Sequence, residues 1–411
     1  MSRARQVSQL IGAANAHIVA TPASFSNTVT VAASGVTFND ASVQTTSASG
    51  FGFKNRIING DMRIDQRGLA NSVTITTTTG YTIDRWTTAV DASSKFAVQQ
   101  VADAPPNFNY SLKATSLSAY TPASSEEFRV GQCIEGYNFA DMGFGTSAAK
   151  PFTISFWVKS SLTGTFGVYV SNSDNSRTYV TTYAISAANT WEQKIITVAG
   201  DVSGSWATTT GRGIQIFFQL GAGSNYYTST TNTWTSTSTV RTTSSQTQLI
   251  STNNATWQVT GVQAEKGSTA TAFDYRDYGS ELALCRRYYY SIIDGNSGVG
   301  YSAGGGFIVT SINASTLEFK CTFPVAMRLP PALVFNNPSG TAFGGNWYGP
   351  GSGTFGTTIG STNVNVNGAM VAFTGATNSM TSSGGTVYGG AANLWVQTQN
   401  ATNALAFTAE L

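Results

Sequence analysis

Phe152-Thr-Ile-Ser-Phe-Trp-Val-Lys159 is the stretch on which the reading of the fold turns. Its apolar residues Phe152, Ile154, Phe156 and Val158 occupy alternate positions, so a strand points them to one face. Thr153, Ser155, Trp157 and Lys159 then line the other. After a Leu162-Thr-Gly164 turn the alternation resumes at Phe166, Val168 and Val170, and it returns at Ile214, Ile216, Phe218 and Leu220. Asn59-Gly60, between Arg56-Ile-Ile58 and Asp61-Met-Arg-Ile64, reads as a tight hairpin because both residues accept φ > 0. Many short strands without regular helices between them predict an antiparallel sandwich.

The composition fits that reading. Thr favours strands and Ser, Asn and Gly favour turns. Hydrophobic residues are 41% and aromatics 12% of the 411, ample for a core. Charged residues are only 10%, against roughly a quarter in ordinary soluble proteins. The 22 Lys and Arg nearly balance the 20 Asp and Glu, for a net charge of +2. No field is left to concentrate nucleic acid or an anionic membrane. No run approaches the ~20 apolar residues of a membrane span. Leu10 to Ala20, behind Arg3 and Arg5, imitates a secretory leader only faintly, because Asn15 and His17 interrupt it. One histidine and three cysteines, Cys133, Cys285 and Cys321, give little material for metal sites or a disulfide framework. The thiols read as free, buried, small hydrophobes.

The chain divides into three zones. Residues 1–50 carry few aromatics, with a short helix expected at Val7 to Ala20 and short strands from Phe25 to Thr45. Neither piece closes a core alone, so this segment needs sister chains or a partner. Residues 51–278 hold the clearest alternation. Residues 279–411 open with a short helix at Ser280-Glu-Leu-Ala-Leu-Cys285 and continue into strands at Phe319 to Phe323, Leu333–Phe335, Val364–Val366, Ala369–Phe373 and Leu394–Thr398. The Gly-rich segments 304–306, 344–356 and 384–390 read as surface loops.

Three stretches resemble bacteriophage tail-fibre proteins. Gly35-Val-Thr-Phe-Asn-Asp-Ala-Ser-Val-Gln-Thr-Thr46 is similar to a short fibre element written as a strand, Asp-Gly-Thr, then Gln-Thr-Thr, although Ala41 and Ser42 replace the Gly-Thr. Gly279-Ser-Glu-Leu-Ala-Leu-Cys-Arg-Arg-Tyr-Tyr289 resembles the junction that opens fibre C-terminal domains. Phe323-Pro-Val-Ala-Met-Arg-Leu-Pro-Pro331 resembles a segment inside those domains. Met1 to Leu10 is similar to fibre proteins of cyanobacterial phages. Arg56 to Arg63, Phe152–Lys159, Asn189-Thr-Trp-Glu-Gln193 and Val259 to Glu265 resemble jelly-roll carbohydrate-binding modules. The fold expected is therefore all-β: a jelly-roll sandwich, a smaller C-terminal β domain and an extended N-terminal attachment segment. The resemblance implies a homotrimer on the virion exterior, attached to tail or capsid proteins through residues 1–50 and binding host polysaccharide distally.

Catalysis has little material. His17, the only histidine, lies in the expected attachment segment, and there is no nucleophile elbow or phosphate loop. A glycosidase needs two carboxyls about 5–10 Å apart. Glu126, Glu127, Asp141, Asp174 and Asp201 read as solvated carboxylates at strand ends. No cofactor or metal site is expected; a structural Ca²⁺ comes only with the jelly-roll resemblance, and Ser173 to Ser176 and Asp201 match no calcium-loop spacing. Glycan recognition needs aromatic rings for C–H faces and neutral polar groups. Trp206, Tyr226, Tyr227 and Trp234 in the sandwich, and Trp347 and Tyr348 in the last domain, are the candidate residues, and 221–247 is a polar, aromatic loop of adaptable composition. Against that stands packing of the same rings on the core or between chains. The function expected is a non-enzymatic, glycan-binding tail fibre, with a structural decoration protein and a polysaccharide depolymerase as alternatives.

Overall fold

The computed structural model describes residues 54–68, 70–76, 79–291, 307–313, 316–336, 345–347, 353–355, 358–374, 381–382, 385–386, 391–394 and 404–411, with 36–37 and 43–44. The chain forms two compact units, Met1–Gly52 and Phe53–Leu411. In the first, β1 (Val36–Thr37) and β2 (Val43–Gln44) pair antiparallel inside the fibre-like Gly35 to Thr46 stretch. The helix expected at Val7 to Ala20, the strand Thr28 to Ala32 and His17 lie outside the described residues.

The second unit is an antiparallel sandwich followed by smaller sheets. Its strands are β3 (Val73–Thr74), β4 (Thr79–Ile83), β5 (Trp86–Val90), β6 (Phe96–Val101), β7 (Ser111–Ser116), β8 (Glu127–Glu135), β9 (Phe152–Ser160), β10 (Gly164–Ser171), β11 (Thr178–Ile185), β12 (Glu192–Val198), β13 (Arg212–Ala222), β14 (Trp234–Thr235) and β15 (Thr256–Lys266). One sheet runs β14-β11-β10-β13-β8-β5-β4 and the other β12-β9-β15-β7-β6-β3. The alternating apolar residues of β9, β10 and β13 meet between the sheets. Phe156 and Phe218 pack edge to face at 4.9 Å across that core. Trp257 lies 5.2 Å from Phe218 and donates Nε1–H to Tyr183 Oη at 2.9 Å, which satisfies a buried polar atom.

Beyond residue 277 come α1 (Tyr278–Arg286), β16 (Tyr289–Ser291), β17 (Phe307–Asn313), β18 (Thr316–Thr322), β19 (Ala332–Asn336), β20 (Gly345–Trp347), β21 (Gly353–Phe355), β22 (Thr358–Asn365), β23 (Gly368–Thr374), β24 (Thr381–Ser382), β25 (Gly385–Thr386), β26 (Ala391–Leu394) and β27 (Ala404–Thr408). They form sheets β16-β27-β19 and β22-β23-β18-β17-β26 and the pairs β20-β21 and β24-β25. Asp277 caps α1 by accepting Ser280 N–H at 2.9 Å.

Residues at the start of this part hold it to the sandwich. Glu135 accepts Arg287 Nη2–H at 2.7 Å and Tyr288 Oη–H at 2.6 Å. Arg85, 1% exposed, pairs with Glu410, donates to Cys133 O and lies 3.6 Å from the Tyr288 ring centroid. Arg328, in the Phe323 to Pro331 stretch, binds Thr210 O and Ala409 O, both at 2.7 Å.

Two local expectations fail. Asn59-Gly60 is a buried turn, not a hairpin, and residues 54–64 make no strand. The Asn59 carboxamide bonds Ile64 N–H and the carbonyls of Ile64 and Asp84, while its N–H goes to Glu281. A side chain that occupies the backbone groups of its own loop removes the need for a ladder. The Gly-rich segments 344–356 and 384–390, expected as loops, contain the short paired strands β20, β21 and β25.

Candidate functional site

The expected ring residues fall into three groups. Trp206 is 9% exposed; its Nε1–H binds Ser203 O at 3.0 Å, and its ring meets Phe144 at 4.8 Å and Trp234 at 5.3 Å. Trp234 is half-buried, donates to Ala199 O at 2.7 Å and packs on Tyr179 at 5.3 Å. Both rings therefore close one end of the sandwich core. Tyr226 and Tyr227 are half-buried, with hydroxyls donated to Ser125 O and Ala222 O. The side chain of Trp347, and Tyr348 altogether, lie outside the described residues.

Segment 223–248 packs on the sandwich instead of standing free. Its Trp234–Thr235 joins the seven-stranded sheet as edge strand β14, its Val240 and Thr242 lie over that sheet's outward face, and Thr247 N–H binds Thr165 O at 2.6 Å. A Cβ at Gly167 would sit 2.3 Å from Thr242 Oγ1, so the bare backbone admits this close approach. Beneath the segment, Tyr169 stacks on Phe217 at 5.4 Å, with Arg241 at 4.8 Å over Tyr169. Glu127 binds Arg129 and accepts Gln219 Nε2–H at 2.9 Å. Burial pushes the Tyr169 hydroxyl upward. Leu411 packs against the same cluster. That face is sealed.

The outward face of the six-stranded sheet is covered over much of β9 and β15, where Thr153, Ser155, Gln258, Thr260, Gln263 and Glu265 are buried, but its β12–β9 corner reaches solvent. On β9, Trp157 and Lys159 point away from the core, as the alternation predicts, and Trp157 stands opposite Gln193 and Thr260. Lys159 stands opposite Gln258. One step before β12, Trp191 reaches the Lys159 position, where its ring centroid lies 5.1 Å from Lys159 Nζ. Asp103, from the β6–β7 connection, joins the group. It pairs with Lys159, accepts Gln258 Nε2–H at 3.1 Å and takes a long contact of 3.4 Å from Trp191 Nε1. Partial burial acts to raise its carboxyl, but the bonds from Lys159, Gln258 and Trp191 hold it below the usual carboxylate range. Its side chain stays 51% exposed. Trp157 and Trp191 are half-buried, as Trp234 is, and Gln193 is exposed. Beyond Thr260, the β15 bulge brings Gly261 to φ +59 with the Phe108 ring against it; Phe273 and the half-exposed Tyr275 complete an aromatic group there.

The carboxylates considered for hydrolysis are held in place. Asp201 receives Arg177 through Nε and Nη2, Asp141 pairs with Arg56 and Lys266, and Glu126 accepts Tyr120 Oη–H at 2.7 Å. Asp174 accepts Ser176 N–H as an ordinary turn, which lowers its carboxyl. No cluster of three metal-ligating side chains occurs among the described residues. A cavity of about 70 Å³ between Arg56, Arg276, Asn138 and Leu284 has room for water-sized guests.

No protein-family model and no curated protein matches the chain. Solved structures do. The enzymatically active domain of bacteriophage CBA120 tailspike protein 4 is 13% identical, with a TM-score of 0.29 over 52% of this chain. The match covers 21% of the tailspike chain, about a fifth of its length. A family 11 carbohydrate-binding module from Clostridium thermocellum, in complex with a β-1,3-1,4-mixed-linked tetrasaccharide, is 11% identical with a TM-score of 0.26, covering 48% of this chain and 97% of the module. A Bacteroides thetaiotaomicron protein described as sugar-binding is 12% identical with a TM-score of 0.28, covering 49% of this chain and 98% of that one.

Proposed function

We propose that this chain is a non-enzymatic, homotrimeric virion fibre protein that joins the particle through residues 1–50 and binds host glycan with its β domains. The observation that carries the glycan reading is the β12–β9 corner of the six-stranded sheet, where the partly exposed Trp157 and Trp191 adjoin Gln193 and the Asp103–Lys159 pair. Ligand sites combine apolar surface with a few convergent polar groups in this way. A separate N-terminal compact unit with a fibre-like hairpin supports attachment there. The near-zero net charge supports close meeting of identical chains without repulsion.

Adsorption competition tests the reading. Purified full-length chain should block particle adsorption to host cells, and particles should lose the protein when residues 1–45 are deleted. Unblocked adsorption with normal incorporation favours a decoration protein. New reducing ends released from host capsule favour a depolymerase.

A further inference from the structure

We propose that Trp157, Trp191 and Asp103 form a subsite for a neutral hexopyranose glycan, which lies across β12 and β9 at the solvent-reaching corner of the six-stranded sheet. This rests on the glycan-binding reading above and names its site and ligand class.

Trp157 stands opposite Gln193, so Trp191, two residues earlier, is its diagonal neighbour. Diagonal cross-strand neighbours lie about 7–8 Å apart, a spacing at which two rings address successive parts of one short oligosaccharide. The Lys159 ammonium backs the Trp191 ring, and Asp103 holds its edge, so the indole is fixed before any ligand arrives. A fixed ring loses little freedom on binding.

The polar groups define the ligand. Asp103 keeps half its side-chain surface in solvent while accepting Lys159, Gln258 and Trp191 on its inner side. An ionised carboxylate accepts hydrogen bonds and donates none, so the partner must bring hydroxyl hydrogens. The indole N–H of Trp157 and the Gln193 carboxamide have no hydrogen-bond partner among the described residues, and hydroxyl oxygens satisfy those donors. An acidic sugar would set its carboxylate against Asp103, whose charge Lys159 already engages. Lys113, opposite Gln258, is a further cation near this row and would favour an acid.

Affinity electrophoresis of the full-length chain tests this, in gels containing soluble mixed-linkage β-glucan, galactan or dextran, with alginate as the acidic polymer. At least one neutral polymer should retard the protein. Trp157→Ala, Trp191→Ala and Asp103→Asn should each weaken that retardation by about tenfold or more, about 1.4 kcal/mol, while melting temperatures stay within about 2 °C of the parent. Neutral retardation that survives all three substitutions overturns the subsite and leaves the glycan reading standing. Retardation by alginate alone overturns the ligand class. Retardation by no polymer overturns the glycan reading itself and the subsite with it.

Discussion

Asp84 is 1% exposed, and burial lifts its carboxyl to about 7 against the favourable pull of Arg67 and bonds from Gln66. The unfolded carboxyl ionises near 3.8. Between those values the folded chain keeps a proton that the unfolded chain has released. Stability therefore falls as pH rises from about 4 to about 7, by at most about 1.4 kcal/mol per unit, and levels off above. Asp84→Asn should flatten that slope in thermal melts from pH 4 to 8; an unchanged slope would assign it to other groups. Glu410 is a second sensitive residue, since it neutralises the buried Arg85 and also binds Arg67 at 2.7 Å. Glu410→Ala leaves a buried charge without its partner and should cost about 3–5 kcal/mol in denaturant unfolding. Gly60→Ala would press a Cβ to 2.1 Å from Val262 O and should be at least as disruptive. None of these roles is legible in the sequence, because each depends on a residue tens to hundreds of positions away.

Strands were far more legible than surfaces. The alternation in β9, β10 and β13 gave both the strands and the side turned to the core, because period 2 is a local property. α1 is legible too, and Asp277→Ala, which removes its N-cap, should lower the midpoint in denaturant unfolding. Segment 221–247 shows what periodicity lacks. Its composition reads as a free loop, yet 223–248 packs on the seven-stranded sheet through residues from β8, β10 and β13. Trp206 and Trp234 are likewise core-packed rings, whereas nothing in the periodicity around Trp191 marks it as a surface ring. Trp206→Ala should lower stability by about 3–5 kcal/mol, and Trp191→Ala by less than about 1. Paired thermal melts of the two variants check this ordering; equal losses would contradict the division between core and corner rings.

For the molecule as a whole, the two compact units and the seam of Arg85, Glu135, Tyr288, Arg328 and Glu410 bear on assembly. The stretches 279–289 and 323–331 supply Tyr288 and Arg328 of that seam, so those residues have a structural reason to be there whatever the chain binds. Native mass from sedimentation should equal three chains; a stable monomer would contradict the fibre reading. The most direct test of the central claim is ¹⁹F NMR of the full-length chain carrying 5-fluorotryptophan at its 8 tryptophans, titrated with the neutral polymer that retards it. The account predicts that the Trp157 and Trp191 resonances, assigned by substitution, shift first while Trp206, Trp234 and Trp257 stay in place. Shifts at Trp206 and Trp234 with Trp157 and Trp191 unmoved would contradict it.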